Sequence, residues 1–358
     1  MINMNETNER VIIPSRLIED EKDDFNLRPN SLDDFIGQTD LKKGLKIFID
    51  SAKRRNQPLE HTLLSGPPGL GKTTVANILS NEMGAKIITA TGPALKADDI
   101  AGILTDLNRN DIFFIDEIHR LNKVLEEMLY PAMEDFELSL TVGKKDKSRL
   151  IKIKLKRFTL VGATTNIGLL SSPFRDRFGY NTRFELYSAE ELAEVINRSS
   201  SILGIPITGD GRLAIAKRSR GTPRIANRLL RRVRDYAIVN GEKEITKKVA
   251  DIGLSILKID KYGLDNIDRE ILHVIINQYD MGPVGLKTIA VSVGEEMRTI
   301  EEAYEPYLMK IGFIKRTSGG RVATNVAKKY LENIGNVFGR QNVFANQLKL
   351  IDKDDVIL

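Results

Sequence analysis

Short apolar runs alternate with stretches of helical periodicity over the first half of the chain. Three runs, at residues 61–65, 112–115 and 158–163, have the length and composition of buried strands. Residues 73–83 repeat their apolar positions at helical spacing and predict a helix. Strands that alternate with helices are typical of a parallel sheet covered by helices. We therefore predict an α/β domain at about residues 25–187.

Helical patterns dominate the second half until a final hairpin. At about residues 188–258 we predict a small helical domain, which begins with a plausible helix cap at residues 188–191. At about residues 259–335 three helices followed by two strands around a glycine turn predict a winged helix. These elements lie at residues 267–278, 285–293, 298–310, 313–317 and 321–324. The polar residues 1–24 predict a flexible leader, and residues 336–358 a C-terminal tail.

One segment of the first domain, at about residues 138–156, departs from the alternation of strands and helices. Residues 138–142 and 151–155 alternate apolar and polar positions around a turn rich in lysine, which predicts a projecting β-hairpin. Both strands place apolar residues on one face, and a hairpin that stands off its domain cannot bury that face alone. The face, which includes Ile151 and Ile153, therefore either binds a partner or packs on its own domain.

Composition narrows the class of protein. The 358 residues suffice for two or three domains, and 41% hydrophobic residues suffice for their cores. The chain has no cysteine, which excludes disulfides and thiolate metal sites, and its three histidines lie far apart in sequence. Because it has neither an apolar run of 18 residues nor a signal-peptide core, we expect a cytoplasmic protein without a membrane segment. A net charge of +5 is compatible with nucleic acid contact.

Residues 66–73, GPPGLGKT, fit the phosphate-binding pattern G-x-x-x-x-G-K-[ST] at every fixed position. Glycines such as Gly69 and Gly71 let successive backbone N–H groups surround phosphate oxygens, and the following helix presents its positive end to them. Lys72 is then expected on the β- and γ-phosphates and Thr73 on Mg²⁺. The pattern predicts a site for a nucleoside triphosphate with Mg²⁺.

Two further strand ends carry polar residues that suit the same site. Asp116 and Glu117 end an apolar run, so Asp116 is expected to hold Mg²⁺ and Glu117 to orient or deprotonate water. The alternative for this pair is a solvated acidic turn. The third run ends in Thr164 and Thr165, either of which could place a hydroxyl between the γ-phosphate and the water.

Arginines downstream admit two interpretations. Arg175 and Arg177 are surface charges in an isolated domain, but in a ring one of them could reach the nucleotide of a neighbouring subunit. Arg224 follows Pro223 at the start of a predicted helix, which aims it at the phosphates. Otherwise it is one more cation on a basic helix.

The order of these motifs resembles that of the AAA+ ATPases, and within them the RuvB family of Holliday junction branch migration motors. The resemblance covers about residues 27–330 and is carried by specific strings beyond the phosphate site. They are Arg28-Pro29, FIGQ at residues 35–38, DEIH at 116–119, LYPAMED at 129–135, RDRF at 175–178 and GTPRIANRLLRRVRDY at 221–236. It implies an AAA+ domain with a parallel sheet, a helical lid domain and a winged-helix DNA-binding domain.

The resemblance also implies function and site residues. It implies a homohexamer that encircles double-stranded DNA and uses ATP and Mg²⁺ to drive branch migration in recombination, repair and the SOS response, with RuvA and RuvC. Its implied catalytic residues are Lys72, Asp116, Glu117, Thr165 and Arg177. Its implied ATP contacts are Leu27, Arg28, Gly69, Gly71, Lys72, Thr73, Thr74, Glu134, Asp135, Phe136, Arg177, Tyr187 and Arg224.

Contacts with macromolecules follow from the same resemblance. The hairpin is expected to dock RuvA through Ile151 and Ile153. Arg316 and Arg321 on the wing are expected to contact DNA phosphates. Arg298 is expected to do so as well, although related proteins often carry an arginine at the position of Met297.

Two other classes share the phosphate site. A clamp-loader ATPase more often has a C-terminal helical collar in place of a wing. A protein-remodelling ATPase usually carries an aromatic pore loop, and no convincing one is visible. The predicted winged helix favours DNA as the substrate.

Overall fold

The computed structural model describes residues 27–142 and 149–338, which form two compact units divided after Leu254. The leader predicted at residues 1–24 and most of the predicted tail lie outside the described residues. The first unit contains the sheet and the helical domain that follows it, and the second contains the winged helix. None of the described helices is long and apolar enough to cross a membrane.

A five-stranded parallel sheet organises the first unit, as the alternation of strands and helices predicted. The strands lie in the order β2-β3-β6-β1-β7. They are β1 (Thr62–Ser65), β2 (Ile87–Thr91), β3 (Ile112–Asp116), β6 (Thr159–Thr164) and β7 (Tyr180–Arg183). The central strands β1, β3 and β6 are almost entirely buried because helices cover both faces of such a sheet. Parallel pairing brings the carboxyl ends of all five strands to one edge.

Three helices of this unit begin at or within one residue of the positions that the sequence signals predicted. Those packed on the sheet are α1 (Thr39–Arg55), α2 (Lys72–Met83), α3 (Ala97–Asp106), α4 (Lys123–Glu134) and the short α5 (Ser172–Arg175). The lid helices are α6 (Ala189–Ile202), α7 (Gly209–Lys217), α8 (Pro223–Val239) and α9 (Lys247–Ile256). The three that begin as predicted are α2, α6 and α8. Ser188 and Glu191 form a capping box at the start of α6, with bonds of 3.1 and 2.8 Å. Pro223 lies in the first turn of α8.

The predicted hairpin consists of β4 (Glu137–Val142) and β5 (Arg149–Lys154), which pair antiparallel. Its turn, at residues 143–148, lies outside the described residues. The end of the hairpin nearest the domain is packed, because Leu138 is fully buried and Ile153 and Leu155 contact the main hydrophobic core. Ile151, two residue pairs further out, is 45% exposed. The apolar face is therefore divided between the core and the surface.

The second unit has the predicted order of helices and wing. Its elements are α10 (Asn266–His273) with a π-helical turn (Val274–Gln278), α11 (Leu286–Val293), α12 (Met297–Thr299) with a π-helical turn (Ile300–Tyr304), α13 (Glu305–Lys310), β8 (Ile314–Thr317), β9 (Gly320–Ala323) and α14 (Asn325–Phe338). Strands β8 and β9 pair antiparallel as the wing. Its core contains the fully buried Leu272, Ile275 and Leu308. Helix α14, which the sequence analysis did not predict, extends the unit beyond the wing.

Candidate active site

The phosphate-binding loop connects β1 to α2 at the carboxyl edge of the sheet. Gly66, Gly69 and Gly71 have positive φ angles of 140°, 78° and 102°, which other residues rarely adopt. Space is a second constraint at Gly66, because a Cβ atom there would lie 2.7 Å from the carbonyl oxygen of Phe184. The loop therefore depends on glycine for both its backbone conformation and its close packing.

Lys72 folds back over this loop. Its Nζ donates to the carbonyl oxygens of Gly66 at 2.7 Å and Pro67 at 2.9 Å, and the residue is only 7% exposed. The pKa of Lys72 is lowered to about 8, mainly by burial and also by Arg224, although the carboxylates of Asp116 and Glu117 oppose the change. The site therefore places a lysine amine with a lowered pKa beside the N–H groups at the start of a helix, and this arrangement suits a polyanionic ligand.

The two carboxylates lie across from the loop at the end of β3. Thr73 Oγ1 donates to Asp116 Oδ2 at 3.5 Å, so a hydroxyl and a carboxylate oxygen adjoin. Glu117 adopts a left-handed conformation with φ 51°, and its N–H donates to Asp116 Oδ1 at 3.0 Å. Gly92 permits this turn, since a Cβ atom there would lie 2.5 Å from the Glu117 carbonyl oxygen. The backbone thus turns Glu117 into the same cavity that Lys72 and Thr73 line.

This donor set fits magnesium that a nucleotide brings with it. Among the described residues, no group of three histidine, cysteine, aspartate or glutamate side chains could hold a metal ion. Mg²⁺ does not need such a group, because it is commonly bound by one or two protein oxygens together with phosphates and water. Thr73 and Asp116 provide a pair of that kind.

The two threonines that the sequence analysis left as alternatives, at the polar end of β6, have different contacts. Thr165 Oγ1 donates to Glu117 Oε2 at 3.3 Å. Thr164 is fully buried, and its Oγ1 lies 3.0 Å from His119 Nδ1. Thr165 therefore contacts the carboxylate directly, whereas Thr164 reaches it through the histidine.

Most of the predicted ATP contacts come together around one cavity. The residues that line it are Leu27, Arg28, Gly69, Gly71, Lys72, Thr73, Thr74, Tyr187 and Arg224, together with Asp116 and Glu117. Tyr187 is 3% exposed, and burial raises the pKa of its hydroxyl, which donates to the Leu70 carbonyl oxygen at 3.4 Å. Arg224 donates its backbone N–H to Gly69 at 3.3 Å. The lid thus contacts the phosphate loop directly.

Four other predicted contacts lie at the opposite edge of the sheet. Arg177 precedes β7, whose first residue, Tyr180, pairs with Thr62 at the start of β1. Its Nε lies 3.1 Å from Glu134 Oε1, and its guanidinium stacks on the Tyr130 ring at 4.2 Å. Asp135 and Phe136 follow Glu134 directly. The phosphate loop leaves the other end of β1, so these residues do not line the cavity of this chain.

The wing arginines are engaged within their own unit. Glu305 is 2% exposed and accepts from Arg321 at 3.0 and 3.2 Å and from Arg316 at 2.9 Å. Burial raises the pKa of Glu305, but the bonds from the two arginines outweigh it and lower the pKa overall. The Arg316 side chain also reaches Glu301 at 3.1 Å and remains 48% exposed, whereas that of Arg321 is only 14% exposed.

Arg298 and Met297 are both on the surface, on helix α12. The Nε atom of Arg298 contacts Glu302 Oε1 at 2.6 Å in an exposed pair. Met297 is 48% exposed. Arg298 therefore remains accessible to solvent and to a ligand of the winged helix.

Three residues that the sequence analysis did not select have defined places beside the predicted ones. His119 lies between Thr164 and Glu117, Arg198 donates to the Leu27 carbonyl oxygen at 2.6 Å, and Glu305 holds the two wing arginines. The position of His119 two residues after Glu117 was a signal in the sequence. Nothing in the local sequence marks the other two.

Comparisons in sequence support one family over most of the chain. Residues 27–184 match the family model described as the Holliday junction DNA helicase RuvB P-loop domain. Residues 187–260 match the RuvB AAA lid domain, and residues 261–332 match the RuvB C-terminal winged helix domain.

Individual relatives agree with these matches. The Holliday junction branch migration complex subunit RuvB of Methanoregula boonei is 57% identical over 325 residues, which is 90% of this chain and 97% of that protein. The solved Thermotoga maritima RuvB Holliday junction branch migration motor is 48% identical. Its TM-score is 0.79, with 86% of this chain and 98% of that chain covered. A solved mutant of the same Thermotoga protein has a TM-score of 0.80 at 48% identity, with 85% of this chain and 98% of that chain covered.

Proposed function

We propose, from the premise that this chain belongs to the RuvB family, that it is an ATP-driven motor for the branch migration of Holliday junctions. Family matches over residues 27–332 establish the membership. The observation that carries the proposal is the convergence of the phosphate loop, the acidic pair and the lid arginine on one cavity. A DNA-binding type of domain on the same chain supports DNA as the track.

The chain's own residues account for the chemistry of hydrolysis. Lys72 and the loop N–H groups would bind the β- and γ-phosphates, and Thr73 and Asp116 would hold Mg²⁺, which neutralises charge on the phosphates when bound. Glu117 would orient a water and take its proton, and Thr165 would fix the Glu117 carboxylate. Arg224 would place the lid against the phosphates. Leu27, Arg28, Thr74 and Tyr187 would complete the ATP site.

Assembly into a ring would supply the remaining group. Arg177, with Glu134, Asp135 and Phe136, lies across the sheet from the cavity, and β1 separates the two edges by about 10 Å. A head-to-tail interface joins two different surfaces and forms a ring where the rotation between subunits closes. We propose a homohexamer in which Arg177 serves the nucleotide of the next subunit, stabilising charge in its transition state.

Partners follow from the two remaining surfaces. We propose that Ile151, with Ile153 beside it, docks RuvA, and that RuvC acts in the same complex. Double-stranded DNA would contact the winged helix through Arg298 and Arg316, with Arg321 supporting the wing. A cytoplasmic location is part of this proposal.

The test is branch migration of a synthetic four-way junction by the purified chain with RuvA, ATP and Mg²⁺. We expect conversion by the natural protein and none by Lys72→Ala. Glu117→Gln should bind ATP normally while turnover falls by about 10²- to 10⁴-fold. ATPase activity that responds to a primed duplex with a clamp, or to an unfolded protein, but not to junction DNA would contradict the proposal.

A further inference from the structure

A buried histidine lies beside the carboxylate assigned to water. His119 belongs to the short turn Ile118–Arg120 after β3, and its side chain is 2% exposed. Its Nδ1 atom lies 3.4 Å from Glu117 Oε2 and 3.0 Å from Thr164 Oγ1. The ring therefore connects the end of β6 to Glu117, which lines the cavity.

The chemistry of these two neighbours favours one tautomer of the ring. A carboxylate can only accept hydrogen bonds, so an Nδ1 atom without a proton would repel Glu117 Oε2. Thr164 Oγ1 already accepts the backbone N–H of Asn166 at 3.0 Å, and its second lone pair can accept another donor. An Nδ1–H group shared between Thr164 and Glu117 satisfies both contacts.

Two side chains then contact the same oxygen of Glu117. Thr165 Oγ1 donates to Oε2 at 3.3 Å, and His119 Nδ1 lies 3.4 Å from the same oxygen. The left-handed backbone of Glu117 sets the direction of the side chain, but its carboxylate can still rotate about χ angles. Donors that hold Oε2 fix this rotation and turn the other oxygen toward a substrate water.

We infer that His119 is a positioning residue for hydrolysis. Its Nδ1–H group contacts both Thr164 and the Glu117 carboxylate and so fixes the carboxylate in place. This inference rests on the proposed ATPase function and on the role of Glu117 in it. A positioning residue acts on the chemical step and leaves nucleotide binding unchanged. A displacement of about 1 Å in such a group can cost ~10²-fold in rate.

Two substitutions of His119 distinguish a loss of Glu117 positioning from a general loss of packing. His119→Ala should lower kcat for ATP by up to about 10²-fold, with KM and ADP affinity unchanged. His119→Asn places an amide donor near the position of Nδ1 and should restore most of the turnover. An Asn variant as inactive as Ala, or an Ala variant with normal kcat, would overturn the inference.

His61 provides the matched control because it is buried at the other edge of the sheet. Its Nε2 donates to the Met133 carbonyl oxygen at 3.0 Å, and its Nδ1 accepts from the Leu160 N–H at 2.8 Å. His61→Asn should therefore affect thermal stability and leave kcat per folded subunit unchanged. A fall in kcat equal to that of His119→Ala would mean that any buried histidine produces the effect.

A measurement without nucleotide or substitution tests the tautomer itself. The chain has three histidines, so ¹⁵N-histidine labelling gives a spectrum that single substitutions can assign. In the nucleotide-free protein we expect a proton on Nδ1 of His119 and on Nε2 of His61. A bare Nδ1 on His119 would overturn the inference. Failure of the proposed function is distinguishable, since it would leave Glu117→Gln with normal turnover.

Discussion

At the scale of single residues, Lys72 couples nucleotide binding to pH. Its amine is buried against two carbonyl oxygens, and burial lowers its pKa to about 8. Phosphate oxygens beside the amine would raise this pKa again, because a nearby opposite charge favours the ionised form. The bound state thus holds a proton that the free state has partly lost above pH 8.

The expected result is proton uptake on nucleotide binding. At pH 9 ADP binding should take up a proton, and affinity should decrease by up to about tenfold per pH unit above 8. Calorimetry in two buffers with different ionisation enthalpies measures this uptake. Lys72→Arg, which stays charged, is the control and should take up none. Equal uptake by both proteins would assign the proton to another group.

At the scale of elements, the hairpin presents Ile151 while its base is packed. Because Ile153 contacts the core and Ile151 is 45% exposed, the two isoleucines should differ in effect. We expect Ile151→Ser to weaken RuvA binding and RuvA-stimulated branch migration while DNA-free ATPase activity stays normal. Ile153→Ser should also lower thermal stability.

Lys152 is the control for this surface because successive side chains of a strand point to opposite faces. It contacts Glu137 at 3.5 Å and is 66% exposed. Lys152→Ser should leave RuvA binding unchanged in a pull-down or a titration. If Ile151→Ser also binds RuvA normally, the hairpin serves only its own domain.

The two wing arginines should differ in role, because Arg316 is available to DNA whereas Arg321 pairs with Glu305 within the domain. Arg316 is half-exposed, so Arg316→Ala should weaken duplex binding equally on unrelated sequences and reduce the salt slope by ~1. Arg321 is mostly shielded from solvent and paired with the buried Glu305, so Arg321→Ala should instead destabilise the winged helix by about 1–3 kcal/mol. Binding against salt concentration and thermal unfolding measure the two effects. A salt slope unchanged in Arg316→Ala would exclude this residue as a phosphate contact.

Elements and motifs whose residues are close together in sequence could be predicted from the sequence. Contacts between residues far apart in sequence could not. The phosphate loop, the capping box at Ser188 and the winged-helix order each follow from local spacing. The contact of His119 with Thr164 spans 45 residues, and that of Arg198 with Leu27 spans 171. Such pairs depend on strand order and packing, which one sequence does not encode locally. The same holds for Ile153, whose burial depends on the core beneath the hairpin.

At the scale of the whole molecule, we propose that hydrolysis needs two subunits. The cavity with Lys72 and Glu117 lies at the carboxyl edge of the sheet, and Arg177 lies beside Glu134 at the amino edge. We therefore propose that one subunit would provide the binding site and its neighbour the arginine. In this proposal neither surface would complete the site alone.

The most direct test is ATP turnover by mixed rings. Lys72→Ala and Arg177→Ala should each be inactive, the latter by ~10³- to 10⁵-fold, although Arg177→Ala should still bind ATP. In an equal mixture about a quarter of the interfaces pair an intact Lys72 with an intact Arg177, because each interface joins different surfaces of two subunits. We predict activity near a quarter of that of the natural protein, measured after subunit exchange. A mixture that remains inactive at every ratio would show that Arg177 does not act on the nucleotide of a neighbouring subunit.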